Sequence, residues 1–220
     1  MKIPTVGEIL DDEDSYYSTV SSIIATPSDF MVQLDDAGID FSTLNSYELF
    51  LMLFPTIQSM DTSLIFDDLD LKKFRLAVNE QNGLPILKDE ENNITIDRLI
   101  HGQICAALRK INHLENKNKK PANEEAKKYM IERARVKQQR AMRRKRVKSQ
   151  IEDLIVAMVN TEQYKYDYQG TLGLTIYQFN ESVRQIVKKI NYDNLMIGCY
   201  AGTVNIKEIN QDNLNWLSSK

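Results

Sequence analysis

The sequence predicts a mainly α-helical fold, with a small candidate β-hairpin and a long basic helix linking N- and C-terminal helical regions. Three observations carry that expectation. Gly and Pro are scarce, 8 and 5 among 220 residues, so few positions break a helix. Apolar residues recur at three- and four-residue steps, as in Ile100, Ile104, Leu108 and Ile111. The stretch 123–160 contains neither Pro nor Gly and is rich in good helix formers. With 42% hydrophobic and 27% charged residues, the chain has enough apolar surface to fold around a core.

Residues 1–22 read as an acidic arm, because "DDED", paired tyrosines and a Ser/Thr cluster follow no firm period. A predominantly helical region, 23–116, comes next. Thr26 is placed to cap a short helix with Pro27 in its first position and Asp29 nearby, and Gly38 stops it. Phe30, Leu34 and Ala37 share one face of that helix. "STLNSYELFLMLFP" predicts a second helix ending at Pro55, and Leu64–Phe66 reads as a short strand. "LPILK" and "ITI" flank the polar "DEENN", the pattern of a hairpin. Asp97 is placed to cap a helix reaching to about Glu115.

"NKNKKPANEE" marks a boundary, and 117–160 is read as polar linker plus long basic helix. Its first half is solvated, whereas Ile151, Leu154, Ile155 and Met158 make a docked face. The last region, 161–220, is aromatic-rich and helical. Thr175 and Gln178 have capping-box spacing before the stripe Ile176, Phe179, Val183, Ile186 and Val187. A further short helix, a break at Gly202 and an amphipathic end complete the expectation.

The net charge of -3 conceals a division. Residues 1–70 carry fourteen Asp/Glu against one lysine, and residues 117–148 carry fourteen Lys/Arg against three glutamates. Such asymmetry steers partners, or lets the acidic part cover the basic part within a chain or between copies. Basic residues Arg140, Arg143, Arg144, Arg146 and Lys148 make a candidate nucleic-acid surface, since crowded cations displace counterions from phosphates. The five cations at 143–146 and 148 face almost every direction, and no zinc-finger, RRM or leucine-zipper pattern accompanies them. A solvated or protein-binding helix is therefore the first reading, and a nucleic-acid-binding adaptor the second.

Catalytic and cofactor signatures do not assemble. "DDED" and "DDLD" lack EF-hand spacing, and "DYQGTLG" and "GCYAGT" lack the phosphate-loop lysine. Cys105 and Cys199 are too distant in sequence for a metal knuckle, and His101 with Cys105 falls short of a zinc ligand set. Asp97 with His101 suggests a base and its orienting carboxylate, but Asp97 is more simply the helix cap. Ser21 and Ser22 lack a nucleophile elbow. The expectation is no enzyme, no cofactor and no metal. No run of about 18 apolar residues predicts a membrane span, and the early acidic residues oppose a signal peptide. Tyr47, Phe50, Phe54, Tyr177, Phe179 and Trp216 are the candidate partner contacts, as amphipathic or apolar rings suited to grooves, while the apolar run Leu49–Phe54 and the ring of Phe179 suit the core as well. For Tyr164, Tyr166 and Tyr168, interface packing is favoured over base stacking.

"PSDFMVQLDDAGIDFSTLNSYELFLMLFP", "DTSLIFDDLDLKKF" and "YQFNESVRQIVKKINYDNLMIGCYAGTVNIKEINQDNLNWL" together cover a little over a third of the chain. In these segments the chain resembles phage-encoded tail morphogenesis proteins of tailed phages or prophages of low-GC Gram-positive bacteria. The resemblance implies a non-enzymatic protein acting in tail construction, as an assembly chaperone or as a tail or baseplate component. Its implied partners are phage tail or baseplate proteins, the tape-measure protein among them, with self-association an added option. Its implied place is the host bacterial cytoplasm during assembly, or the virion tail or baseplate for a retained component. No family residue carries over to a position in this chain.

Overall fold

The computed structural model describes residues 1–116, 118–143, 149–205, 209–210 and 215–217. Along these run α1 (Val6–Asp11), α2 (Glu13–Ile23), α3 (Met31–Asp36), α4 (Ser46–Ile57) and α5 (Ser63–Phe66). A single 3-10 turn at Leu71–Lys73 leads into β1 (Arg75–Val78), β2 (Pro85–Asp89) and β3 (Ile94–Ile96). Then follow α6 (Arg98–Ile111), α7 (Glu124–Met142), α8 (Gln150–Val159), α9 (Tyr168–Leu172) and α10 (Ile176–Tyr200). The fold is mainly α, with one small antiparallel sheet ordered β1-β2-β3.

The first 22 residues are not an arm. Thr5 and Glu8 form a reciprocal capping box that starts α1, and Asp12 caps α2 through Ser15 N. Val6, Ile9, Tyr16, Val20 and Ile23 enter the main core, so the acidic side chains occupy only the outer faces of two packed helices. Pro4 O accepts from Ile176 N at 2.9 Å, and Val6 N donates to Leu174 O at 2.8 Å. These bonds stitch the beginning of the described chain to the start of α10.

Other elements shift for local reasons. Thr26 N and Oγ1 both donate to Asp29 Oδ2, closing a turn, and α3 starts only at Met31. Gly38 ends that segment in the left-handed region at φ 72°. Helix α4 continues through Pro55 to Ile57, where the proline forfeits its own N–H bond within the last turn while Gln58 N still donates to Phe54 O at 2.9 Å. The expected strand at Leu64–Phe66 is helical. Phe66 N donates to Thr62 O and Asp67 N to Ser63 O, each at 2.9 Å, closing a single helical turn.

The "LPILK…ITI" hairpin is present. Asp89 Oδ1 accepts from Glu91 N and Asn92 N, and Asn93 takes the left-handed turn position at φ 53°. Strand β1, unmarked in sequence, adds on the far side of β2 with Leu76 opposite Leu87. Leu87 and its β3 neighbour Ile96 are buried, whereas Leu76 on the edge strand is 69% exposed.

The expected single helix across 123–160 is two helices. Ser149 is extended, at φ -153° and ψ 135°, and its side chain caps α8 through Glu152 N. The Glu13 carboxylate, from α2, accepts from Gln150 N and Ile151 N at the same helix end. An acidic group there complements the helix dipole, so the break is held by a long-range contact as well as a local cap. Conversely, α10 runs unbroken to Tyr200 where a separate short helix was expected, and Gly202 follows at φ 71°.

One core collects Ile9, Ile23, Phe54, Phe74, Leu87, Leu108, Ile155, Ile176 and Phe179, drawn from both ends of the chain. A smaller cluster of Ala25, Met31, Val32, Leu34, Phe41 and Leu49 receives Met130, Ile131 and Ala134 of α7.

Candidate functional site

The amino end of α4, the first turns of α6 and the β1–β2 turn enclose an open groove of about 650 Å3. Leu84, Pro85 and Ile86 form one wall; Leu99, Gly102 and Ala106 form the other. Both helix ends beside it are closed by their own caps. Asn45 accepts from Tyr47 N and Glu48 N, and Asp97 accepts from Ile100 N at 2.8 Å. The groove is therefore an apolar cleft with a polar margin rather than an open helix terminus. Leu84 is 56% and Leu99 68% exposed, a degree that marks them as surface apolar side chains in want of cover.

The floor owes its depth to the rotation of α6. Ile104, Leu108 and Ile111 of the sequence stripe face the core as expected, but His101 and Cys105 face it too and Ile100 is 38% exposed. His101 is the reason. Its Nε2 donates to Ile23 O at 3.0 Å, and its ring stacks on Phe50 with centroids 4.2 Å apart. A buried imidazole with both a bond and a stacking partner is a stable inward group. Turning His101 inward brings Leu99, Gly102 and Ala106 to the groove.

Burial pushes the His101 pKa below its ordinary 6.5, the Arg109 charge acts in the same direction, and the bond to Ile23 O opposes both. The folded chain thus binds a proton at His101 less readily than the unfolded chain. Stability from this group is present above the unfolded pKa and is lost as pH falls below about 6.5. Replacing His101→Gln is expected to flatten the decline in urea midpoint between pH 7 and 5, while lowering the midpoint itself. An unchanged pH profile would count against His101 as the titrating group. The neighbouring Cys105 thiol, 3.3 Å from His101 Nε2, is pushed up to about 11 by burial, which makes it a packed thiol rather than a nucleophile. Among the described residues no group of three or more His, Cys, Asp and Glu is arranged to hold a metal ion.

The six candidate partner contacts separate into two kinds. Tyr47, Phe50, Phe54 and Phe179 are core side chains, each at most 5% exposed, so folding already covers their rings. Tyr47 also donates from its hydroxyl to Ile96 O at 2.8 Å. Tyr177 and Trp216 are half-buried and reachable. Tyr177 lies beside His113, and Lys189 Nζ sits 5.7 Å from the Trp216 ring centroid. Of the tyrosine trio, Tyr164 is buried with its hydroxyl 3.0 Å from Thr171 Oγ1, Tyr168 is half-buried, and Tyr166 is exposed. No extended tyrosine face results. The groove residues Leu84, Leu99 and Gly102 were not singled out in the sequence. The available signal was a leucine off the apolar stripe and a glycine inside a helix.

The charge division is used inside the molecule. Lys127 Nζ pairs with Asp40 at 2.9 Å, and Arg135 bridges Asp35 and Asp36 at 2.9 and 2.8 Å. These pairs flank the apolar contacts Met130, Ile131 and Ala134, which dock α7 against α3. Being only partly buried, the pairs orient the helix more than they stabilise it. Of the candidate phosphate-binding cations, Arg140 and Arg143 are exposed near the end of α7; Arg144, Arg146 and Lys148 lie outside the described residues.

Residues 140–219 match the model of a family described as YomV second domain. That likeness links the chain to a phage-associated protein family. No curated protein and no solved structure matches. The matched segment contains α8, α9 and α10, whose inner faces are completed by α1. No helix among the described residues is long and apolar enough to cross a membrane.

Proposed function

We propose that this chain is a non-enzymatic protein-binding factor or structural component in phage tail or baseplate assembly. The groove between α4, α6 and the β1–β2 turn carries the reading. Its volume, about 650 Å3, suits a few apolar side chains of a partner segment, and its walls are apolar while its margin is polar. The adjacent strand β1 has an open edge with Leu76 and Val78 exposed, so an extended segment can also pair with the sheet. The likeness to a phage-associated family supplies the setting. Tail and baseplate proteins, the tape-measure protein included, are the partners proposed.

Gly102 offers a variant that separates binding from folding. A Cβ built there meets nothing within 4 Å, and the residue lies inside α6. Gly102→Ala is expected to raise stability by about 1 kcal/mol, because alanine removes the helix-interior cost of glycine. Gly102→Phe fills the groove and is expected to reduce capture of a co-expressed tape-measure or baseplate protein at least tenfold with the fold intact. Native mass spectrometry of nuclease-treated complexes measures both stoichiometry and loss. Undiminished capture by Gly102→Phe, or a complex that disappears with nuclease, would overturn the proposal.

A further inference from the structure

The basic stretch "RARVKQQRAMRRKRVKSQ" is only partly accounted for by the docking of α7. From Arg133 to Gln150 the sequence contains nine Lys/Arg and no Asp or Glu. Docking assigns Arg135 to Asp35 and Asp36 on the inner side of the helix. Arg133, Lys137 and Arg140 are exposed, and none has an ion-pair partner among the described residues. Their steps of four and three residues place them in one stripe along the helix. Among the described cations of the stretch, the structure thus separates the paired Arg135 from Arg133, Lys137 and Arg140, a division that sequence spacing alone did not make.

We infer that this stripe, centred on Arg133, Lys137 and Arg140, binds the phosphate backbone of duplex DNA without reading its sequence. At about 1.5 Å rise per residue the three cations span roughly 10 Å, comparable with about three phosphate steps along one strand. A polyanion is the complement of such a stretch, because it presents negative charge at regular intervals with no cations of its own. Backbone contact by Arg and Lys positions a duplex and carries no base information. This surface is separate from the apolar groove, so it does not rest on the proposed protein-binding role.

The test is fluorescence anisotropy of a labelled 24-base-pair duplex with the full chain. Three neutralised phosphates give an expected loss of affinity of at least about 40-fold between 50 and 200 mM salt. The triple reversal Arg133→Glu, Lys137→Glu, Arg140→Glu is expected to abolish binding with an unchanged circular dichroism spectrum. A charge-matched control, Lys72→Glu, Lys110→Glu, Lys165→Glu, alters exposed lysines elsewhere and is expected to stay within about threefold of the parent. Absence of binding at 50 mM salt overturns the inference, as does an equal loss in the control. Tighter binding of a poly-glutamate peptide or of single-stranded RNA than of the duplex also overturns it, in favour of those partners. Should the triple reversal unfold the chain, the single variants Lys137→Glu and Arg140→Glu are each expected to weaken binding and lower the salt dependence.

Discussion

A chain lacking residues 1–11 is expected to lose cooperative unfolding altogether, because the segment is an internal part of the C-terminal packing. Val6 and Ile9 are fully buried, and both sit in the same cluster as Ile155, Ile176 and Phe179. Lys2 N donates to Ile65 O at 2.9 Å, while Val6 N and Pro4 O bond to Leu174 and Ile176. Two buried aliphatic side chains contribute about 1.5–3 kcal/mol each, and the lost backbone bonds about 1 kcal/mol each. Their sum is comparable with the whole stability of an ordinary domain, about 5–15 kcal/mol. The milder Ile9→Ala should cost about 2–5 kcal/mol and lower the urea midpoint without removing the transition. If the truncated chain unfolds at the midpoint of the parent, the stitching of α1 to α10 contributes nothing. The same logic applies to the matched segment 140–219, which is expected to fold poorly without α1 to complete it.

Phe179→Ala should cost about 3–5 kcal/mol, the usual range for emptying a buried aromatic position. The ring is fully buried in the first turns of α10 and meets the Tyr164 ring edge to face, with centroids 6.5 Å apart. Chemical denaturation measures the loss. Trp216→Ala provides the contrast. Its ring is half-buried under Lys189, so stability should change by less than about 1 kcal/mol. A Phe179→Ala variant with full stability but defective partner capture would reverse the assignment of this ring to the core.

Where capping chemistry and a strong apolar stripe coincide, the sequence is informative. Thr175 with Gln178, Asp97, and the turn between "LPILK" and "ITI" all appear in the structure at the expected places. Two further capping boxes were present but unread. Thr5 with Glu8 opens α1, and Asn45 with Glu48 opens α4. Ser149 with Glu152 has the same spacing and marks the break in the long basic helix. The acidic composition of residues 1–22 obscured the first of these, because charge density resembles a solvated arm until the inward positions are separated from the outward ones.

The groove was less legible, and the reason is rotational. Ile104, Leu108 and Ile111 face inward as the stripe requires, but in the first turn the apolar count of α6 tolerates either Ile100 or His101 inward. Ile23 O and the Phe50 ring decide between them by receiving His101, and both lie far from α6 in sequence. Which of the partner-contact candidates are buried was undecided for a related reason. An aromatic ring suits a core and an interface equally in composition, and only the neighbours that pack around Phe50, Phe54 and Phe179 distinguish the two.

By itself the sequence determined the helical class, the hairpin, the starts of α6, α7 and α10 and the division of charge, all properties of residues within a few positions of one another. Tertiary structure decided that His101 rather than Ile100 is buried in α6, which described cations of α7 are paired, and that α1 and the start of α10 share one core. Those outcomes depend on contacts between residues tens of positions apart, as between Glu13 and Gln150 or Pro4 and Ile176. Local periodicity states that a face must be covered; the partner that covers it is set only when the chain packs.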